Sequence, residues 1–520
     1  MSVSREIELK LDLDPQSLKA VRDRCLKSVG SDQVARERLT SVYFDTKKLS
    51  LHRKGLSLRV RSRGEECIQT LKRREGGGGL FDRLEWNSEI AGDEPDLSNV
   101  DNCVFRSVLD AKRLRSRLRP VFTSEVVRTV WHIRSGGADI EVALDEGHVT
   151  AAGRSDSFAE LELELKSGPR SELFEVARSL LPARGLKLGV LANSERGYAL
   201  LTMGNPASFK SEPLFLERTI STEDAFKSIV RGCIRHFRIN EALLIETRGP
   251  EPLHQCRVAL RRLRTAISLF KDVIADEEVK HLKSRLRSLS QKLGEVRDLD
   301  VFLGKLEEPH DGNAEMTLVN EEVLERARND REQACDRVIG ALRRKRSKPL
   351  MFDILAWSEA GPWLSIVDQT ALARRREPIE SFAADVLDRR SRKIRKRGRN
   401  LEDLDPPARH DVRIEAKKLR YATEFFSSLA ITKKHRRRHE SFSTALVSFQ
   451  EHLGELNDVA TGDNLARNAA QRAGSASTEG GRPGRDRAAR RSMKAATSAF
   501  REIAKAKPFW GSRSSSESKG

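Results

Sequence analysis

Across residues 1–205, apolar and polar side chains alternate with a period of two. The clearest runs are Glu6-Ile7-Glu8-Leu9-Lys10-Leu11, Leu56-Ser57-Leu58-Arg59-Val60-Arg61, Asp139-Ile140-Glu141-Val142-Ala143-Leu144-Asp145 and Glu160-Leu161-Glu162-Leu163-Glu164-Leu165-Lys166. Period two separates the two faces of a strand, so each run predicts a strand with one charged face. In a sandwich that face looks outward, yet here it gathers Glu6, Glu8, Lys10, Arg59, Arg61, Glu141, Asp145, Glu160, Glu162 and Glu164, a dense mixture of both signs. A closed barrel offers another arrangement, with apolar residues under covering helices and charges in a wet lumen. The lumen is then the candidate site.

After Gly204-Asn205-Pro206 the period changes to about 3.6, which predicts a helical domain over residues 213–511. Residues 473–486, rich in Gly, Ser and Arg, predict a loop within it, and residues 512–520 a disordered tail. The helical part repeats itself: residues 254–270 align without gaps on residues 410–426, and residues 291–298 on 451–458. This predicts a duplicated helical bundle. At about 100° per residue, His254, Arg257, Arg261 and Arg264 fall on one basic stripe beside an apolar face, and His410, Arg413, Lys417 and Arg420 reproduce it. Two such helices facing each other would line a groove with cations. Like charges at this spacing repel by a few tenths of a kcal/mol per pair, a cost that a bound polyanion relieves.

Charge supports that division. Residues 1–210 carry 35 basic and 31 acidic side chains, while residues 211–520 carry 61 and 46, most of the net +19. Such excess implies a polyanionic partner, and the low aromatic share of 5% disfavours nucleic acid bound by stacking. The six cysteines are widely separated, without a Cys-x-x-Cys pair, so free thiols are expected. No stretch approaches the roughly 18–20 apolar residues of a membrane helix, and the opening segment lacks a signal-peptide core, so no membrane partner and a cytoplasmic location are expected. His435 and His439 stand four apart, but Arg436, Arg437 and Arg438 between them disfavour a metal.

In the strand half, Glu6 and Glu8 share a face, as do Glu160, Glu162 and Glu164. Crowded carboxylates raise one another's pKa values unless a counter-charge intervenes. Oxygen ligands from two strands suit Mg²⁺ or Mn²⁺. Arg59, Arg61, Lys72, Arg83 and Arg128 supply fixed positive charge on other strands. Carboxylates for a metal beside cations for an anion describe a site for a phosphorylated substrate. The alternative is a lumen of mutually neutralising salt bridges.

The Glu-x-Glu-x-Lys of Glu6, Glu8 and Lys10 is followed in order by Tyr43-Phe44-Asp45-Thr46, Gly55-Leu56-Ser57-Leu58-Arg59-Val60-Arg61, Thr70-Leu71-Lys72, Arg83-Leu84-Glu85-Trp86, the run 160–166 and Arg196-Gly197-Tyr198. Together these resemble the CYTH, or triphosphate tunnel metalloenzyme, family, over residues 3 to about 201, with a domain spanning 1–205. The twice-occurring His with basic residues at helical spacing resembles the CHAD domain, so the whole is similar to CYTH-CHAD inorganic triphosphatases. The resemblance implies an α+β two-domain protein: an antiparallel eight-stranded β-tunnel with flanking helices, then an all-α domain of duplicated four-helix bundles. It implies metal-dependent hydrolysis of inorganic triphosphate in the tunnel and long-chain polyphosphate bound in the helical domain, with association with polyphosphate granules.

By this resemblance Glu6, Glu8 and one or more of Glu160, Glu162 and Glu164 hold the metal, and Lys10, Arg59, Arg61, Lys72, Arg83, Arg128 and Arg196 grip phosphates. Two departures stand out. Asn193 occupies a position where the family often has a Lys, and Arg297 of the first helical repeat becomes Asn457 in the second. Two rival functions follow: a non-catalytic polyphosphate-binding or granule-associated protein, supported by Asn193, and an organic triphosphatase or class IV-type adenylate cyclase. The second ranks lower because nothing marks a base or ribose pocket. Oligomeric state is not legible.

Overall fold

The computed structural model describes residues 3–29, 35–63, 66–73, 81–98, 100, 114, 116–181, 185–202, 208–306, 314–343, 349–472 and 483–510. Of the expected loop, residues 473–482 fall outside the described residues, as does the tail 512–520, whereas residues 483–486 form the start of a helix, Pro483–Lys505. The chain forms two compact units. One comprises Met1–Glu212, Lys227–Arg264 and Ile274–Ile366; the other comprises Pro213–Phe226, Thr265–Val273 and Val367–Gly520. The unit containing the strands therefore also takes in residues 227–264 and 274–366 of the helical stretch.

The strands are β1 (Val3–Asp12), β2 (Ala35–Asp45), β3 (Leu56–Arg63), β4 (Glu66–Arg73), β5 (Phe81–Ile90), β6 (Arg119–Ser135), β7 (Ala138–Ala151) and β8 (Arg154–Ser167). They pair antiparallel in the order β5-β4-β3-β2-β6-β7-β8-β1, and β1 pairs again with β5, closing the ring. A two-residue strand, β9 (Lys187–Leu188), adds to the end of β1. This is the closed barrel that the alternation predicts. Its apolar core lies outside the wall: Leu9, Leu11, Ile140, Val142, Leu144, Leu161 and Leu163 are all fully buried. Around them pack α1 (Leu18–Val29), the short α2 (Ser50–Arg53), α3 (Ser171–Leu180) and α4 (Asn193–Leu201). Helix α3 buries Leu173, Phe174, Val176, Ala177 and Leu180, an i, i+3, i+4, i+7 face.

Two tight hairpins fix the register where the site forms. Gly136 and Gly137 both take positive φ, +54° and +79°, at the β6–β7 turn, and a right-twisted two-residue hairpin requires that backbone. Ala152 and Gly153, also at positive φ, turn β7 into β8.

The helical stretch comprises α5 (Thr222–Thr247), α6 (Pro250–Leu269), α7 (Glu278–Leu306), α8 (Ala314–Arg343), α9 (Leu350–Ala360), α10 (Gln369–Arg376), α11 (Ile379–Arg397), α12 (Pro406–Phe425), α13 (Lys433–Arg472) and α14 (Pro483–Lys505). The sequence repeat is thus a repeat of helices, α6 and α7 against α12 and α13. Helix α12 starts with Asp405 accepting the Ala408 N–H at 2.7 Å and Pro406 in its first turn. In the second unit Phe270 stacks on Phe382 at 4.6 Å between ring centroids. No helix among the described residues is long and apolar enough to cross a membrane.

Candidate active site

Strand register turns the charged faces into two opposed sectors of the lumen. Neighbouring strands β7, β8 and β1 bring Glu141, Asp145, Glu160, Glu162, Glu164, Glu6 and Glu8 together. Strands β3 and β4 bring Arg59, Arg61 and Lys72. The cavity between them measures about 360 Å³, and Tyr43, Thr70, Asn87 and the turn Ala192-Asn193-Ser194 complete its lining.

Cross-strand neighbours bridge the sectors. Arg128 stands opposite Asp145 and grips it with Nε and Nη2 at 2.7 and 2.6 Å, while Nη2 also reaches Glu162 at 2.5 Å. Lys10, opposite Glu162, contacts it at 2.5 Å and Glu160 at 2.8 Å. Lys72 pairs with Glu85 on β5, which Arg59 approaches at 3.7 Å. Arg61 donates to Ser41 Oγ at 3.3 Å and has no ion pair among the described residues.

The electrostatics follow from burial. Burial raises the Glu160 carboxyl to about 7 against the pull of Lys10. Burial and the neighbouring Glu85 raise Glu6 to about 7. Burial also raises Asp145, with Glu162 adding to it. Arg61 is lowered to about 10 by burial and by Arg59 and Arg128. Glu85 goes the other way: despite burial, Lys72 and Arg59 hold it at about 2. The lumen therefore contains carboxylates short of cations and a guanidinium short of anions.

Of the residues expected at the site, Glu6, Glu8, Lys10, Arg59, Arg61, Lys72, Arg128, Glu162 and Glu164 line this cavity, and Glu160 is buried behind it beside Lys10. Arg83 stands opposite Glu6 in the β1–β5 register, but its side chain lies outside the described residues. Arg196 is not in the lining; it pairs with Asp156 at 3.2 Å, approaches Asp12 at 3.9 Å and covers the Phe158 ring. Other motif residues hold the wall. Asp45 accepts from the Thr46, Leu51 and His52 N–H groups at 2.6–3.0 Å and from Tyr198 Oη at 3.0 Å. Gly197 lets that segment approach Phe122, whose ring would lie 2.2 Å from a Cβ.

Asp145 and Glu85 were not among the expected ligands. The hairpins carry the missing signal. A two-residue turn at 136–137 pairs Ser135 with Ala138 and hence Arg128 with Asp145; a turn at 152–153 pairs Asp145 with Glu160. Asp145, Glu160 and Glu162 each offer a carboxylate oxygen within 4.8 Å of the others, and Glu160 Oε2 is buried without a hydrogen-bond partner. That donor set fits a hard divalent cation.

Each basic stripe is also formed. In the first, Arg257 donates to the Leu293 carbonyl at 3.0 Å, lying against Gly294. Burial together with Arg297 lowers His254, and burial with Arg287 and Arg261 lowers Arg264. In the second, Arg413 lies 3.9 Å from where a Cβ on Gly454 would stand, its Nε buried without a partner, and Arg420 covers the Tyr421 ring and reaches Glu424 at 3.7 Å. The repeated Leu-Gly-Glu thus leaves room for a guanidinium in both copies. His410 and Lys417 lie on the same helix. On α11, Arg390 and Lys393 each hold the buried Glu415 at 2.9 Å. The Asn457 side chain falls outside the described residues.

Residues 4–198 match the CYTH domain and residues 228–467 the CHAD domain. An inorganic triphosphatase of Haemophilus influenzae is 28% identical over 253 residues, 48% of this chain and 69% of its own. Among solved structures, the CHAD domain from the plant Ricinus communis is 27% identical, covering 57% of this chain and 97% of that one at a TM-score of 0.44. A putative adenylate cyclase from Bacillus halodurans is 18% identical, covering 39% of this chain and 100% of that one at a TM-score of 0.29.

Proposed function

We propose, from the premise that the chain is a CYTH domain followed by a CHAD domain, that its barrel hydrolyses inorganic triphosphate with a divalent cation and that its helices bind long-chain polyphosphate. The observation that carries the first half is the opposition, across about 360 Å³, of an acidic sector with raised pKa values and a cationic sector containing the unpaired Arg61.

Asp145, Glu160 and Glu162, with Glu6, Glu8 and Glu164 around them, would hold Mg²⁺ or Mn²⁺. The cation supplies charge neutralisation for the substrate and an acidified water. Arg59, Arg61 and Lys72 bind the phosphate chain on the opposite wall, and Arg128, aligned by its two bonds to Asp145, reaches the same space. Water adds to the terminal phosphorus and the P–O–P bridge breaks, giving phosphate and diphosphate. Phosphoryl transfer depends chiefly on charge and position, so no separate general base is assigned.

The test is phosphate release from triphosphate with Mg²⁺ or Mn²⁺ against an EDTA blank, in the full chain and in Glu6→Gln/Glu8→Gln. Metal-dependent release in the parent and its loss in the variant are expected; undiminished release by the variant rejects the assignment. One observation favours a second reading, a tunnel that binds but does not turn over: Lys10 and Arg128 already contact the carboxylates assigned to the metal. A parent that binds triphosphate without releasing phosphate would select it.

A further inference from the structure

The turn that completes the lumen lining is held from outside the barrel. Ala192, Asn193 and Ser194 line the cavity, and α4 begins there, with the Ala192 N–H donating to Glu195 Oε2 at 2.9 Å. The other oxygen of Glu195 accepts from Arg235 Nη2 at 2.5 Å. Arg235 belongs to α5, the first helix of the CHAD region, and its side chain is only 3% exposed. It also donates to Glu212 at 3.1 Å and to the Val190 carbonyl. One turn on, Arg238 donates to the Leu188 carbonyl at 3.2 Å and approaches Asp12 at 3.7 Å, the carboxylate that Arg196 approaches from the other side. Between these anchors Gly189 donates to the Lys10 carbonyl at 2.9 Å, so close that a Cβ would stand 2.7 Å from Lys10 Cγ. Two guanidinia from one helix face, Arg235 buried and Arg238 partly so, thus fasten both ends of the segment 188–196.

We infer that Arg235 and Arg238 are positioning residues for the tunnel. They set the 188–196 segment, whose turn Ala192-Asn193-Ser194 lines the cavity, so that the helical region fixes one wall of the triphosphate site. This rests on the triphosphatase reading above. A buried guanidinium with three acceptors, two of them carboxylates, has one well-defined pose, and a misplaced wall loses binding geometry far from the reacting bond.

The test is a double-mutant cycle in the full chain, combining Arg235→Ala with Asn193→Ala and reading kcat and KM for triphosphate with Mn²⁺. Arg235→Ala alone should lower kcat/KM about tenfold, mainly through KM. In the Asn193→Ala background the same change should cost less than about twofold, because the side chain that the held turn presents to the cavity is gone. Equal losses in both backgrounds, or no loss in a folded Arg235→Ala, overturn the inference. Should Arg235→Ala not fold, Glu195→Gln replaces it in the cycle: it keeps the Ala192 bond, weakens the Arg235 bond, and carries the same two outcomes. An inactive parent defeats the triphosphatase reading instead, and so is distinguishable.

Discussion

Glu160 offers the sharpest test of the lumen as a site prepared for a cation. Its side chain is fully buried, with one oxygen on Lys10 at 2.8 Å and the other without a partner, and its pKa stands at about 7 against 4.5 for an ordinary glutamate. Between those two values the folded chain retains a proton that the unfolded chain has released. Metal-free stability from this group is therefore greatest below about pH 4.5, declines as pH rises through the window, and is level above about pH 7. At ~1.4 kcal/mol per pKa unit the whole window amounts to about 3 kcal/mol, of which a step from about pH 5.5 to about pH 8 spans roughly 2 kcal/mol. The assay is urea unfolding of the full chain in EDTA across that range, parent against Glu160→Gln, which cannot titrate. The barrel transition of the parent should lose about 2 kcal/mol relative to the variant. Mn²⁺ at ~100 times its Kd should then add about 2.7 kcal/mol to the parent at the alkaline end, and much less to the variant. Identical pH slopes would refute a proton held at Glu160, and identical Mn²⁺ stabilisation would refute its role as a ligand.

Asp45→Ala should cost the barrel about 3 kcal/mol, since it leaves buried donors unsatisfied, while activity per folded molecule is kept; denaturant unfolding with parallel phosphate-release assays checks both. Arg257→Ala/Arg261→Ala and Arg413→Ala/Lys417→Ala combined should weaken long-chain polyphosphate binding and flatten its dependence on log salt; parent-like binding, or equal competition by duplex DNA, would defeat the polyphosphate assignment. Glu415 is held at about 2 by Lys393, Lys418 and Arg390 against the effect of its burial. Its stabilising contribution is thus complete above about pH 4.5 and vanishes toward pH 2, so acid unfolding of Glu415→Gln should lack that slope.

Barrel closure was legible because Glu6, Glu8 and Lys10 alternate with Leu9 and Leu11, and a face carrying both signs at such density suits an enclosed wet space better than open solvent. The helix repeat was legible because residue identity, not only hydropathy, recurs at His254 and His410. Partnerships were harder. Alternation assigns Arg128 and Asp145 to the inner face without saying that they touch, because contact depends on register, and register depends on turn length. Arg235 and Arg238 were invisible for another reason: on a helix rich in charge, nothing local separates a guanidinium that will be buried against carbonyls and carboxylates from one that will face water. The same ambiguity hid Arg390 and Lys393, whose partner Glu415 lies one helix further along the chain.

The pairing of β1 with β8 has a consequence for how the chain is made. Lys10 leaves the ribosome 150 residues ahead of Glu160, its partner in the finished wall. At ordinary elongation speeds that is a delay of roughly 8–30 seconds. Until β8 is made, that edge of the strand has open amides beside alternating leucines, and charged side chains such as Glu8 and Lys10 are of the kind that oppose edge-to-edge association. The ionic residues that line the finished lumen are thus also the ones that mark the unfinished edge.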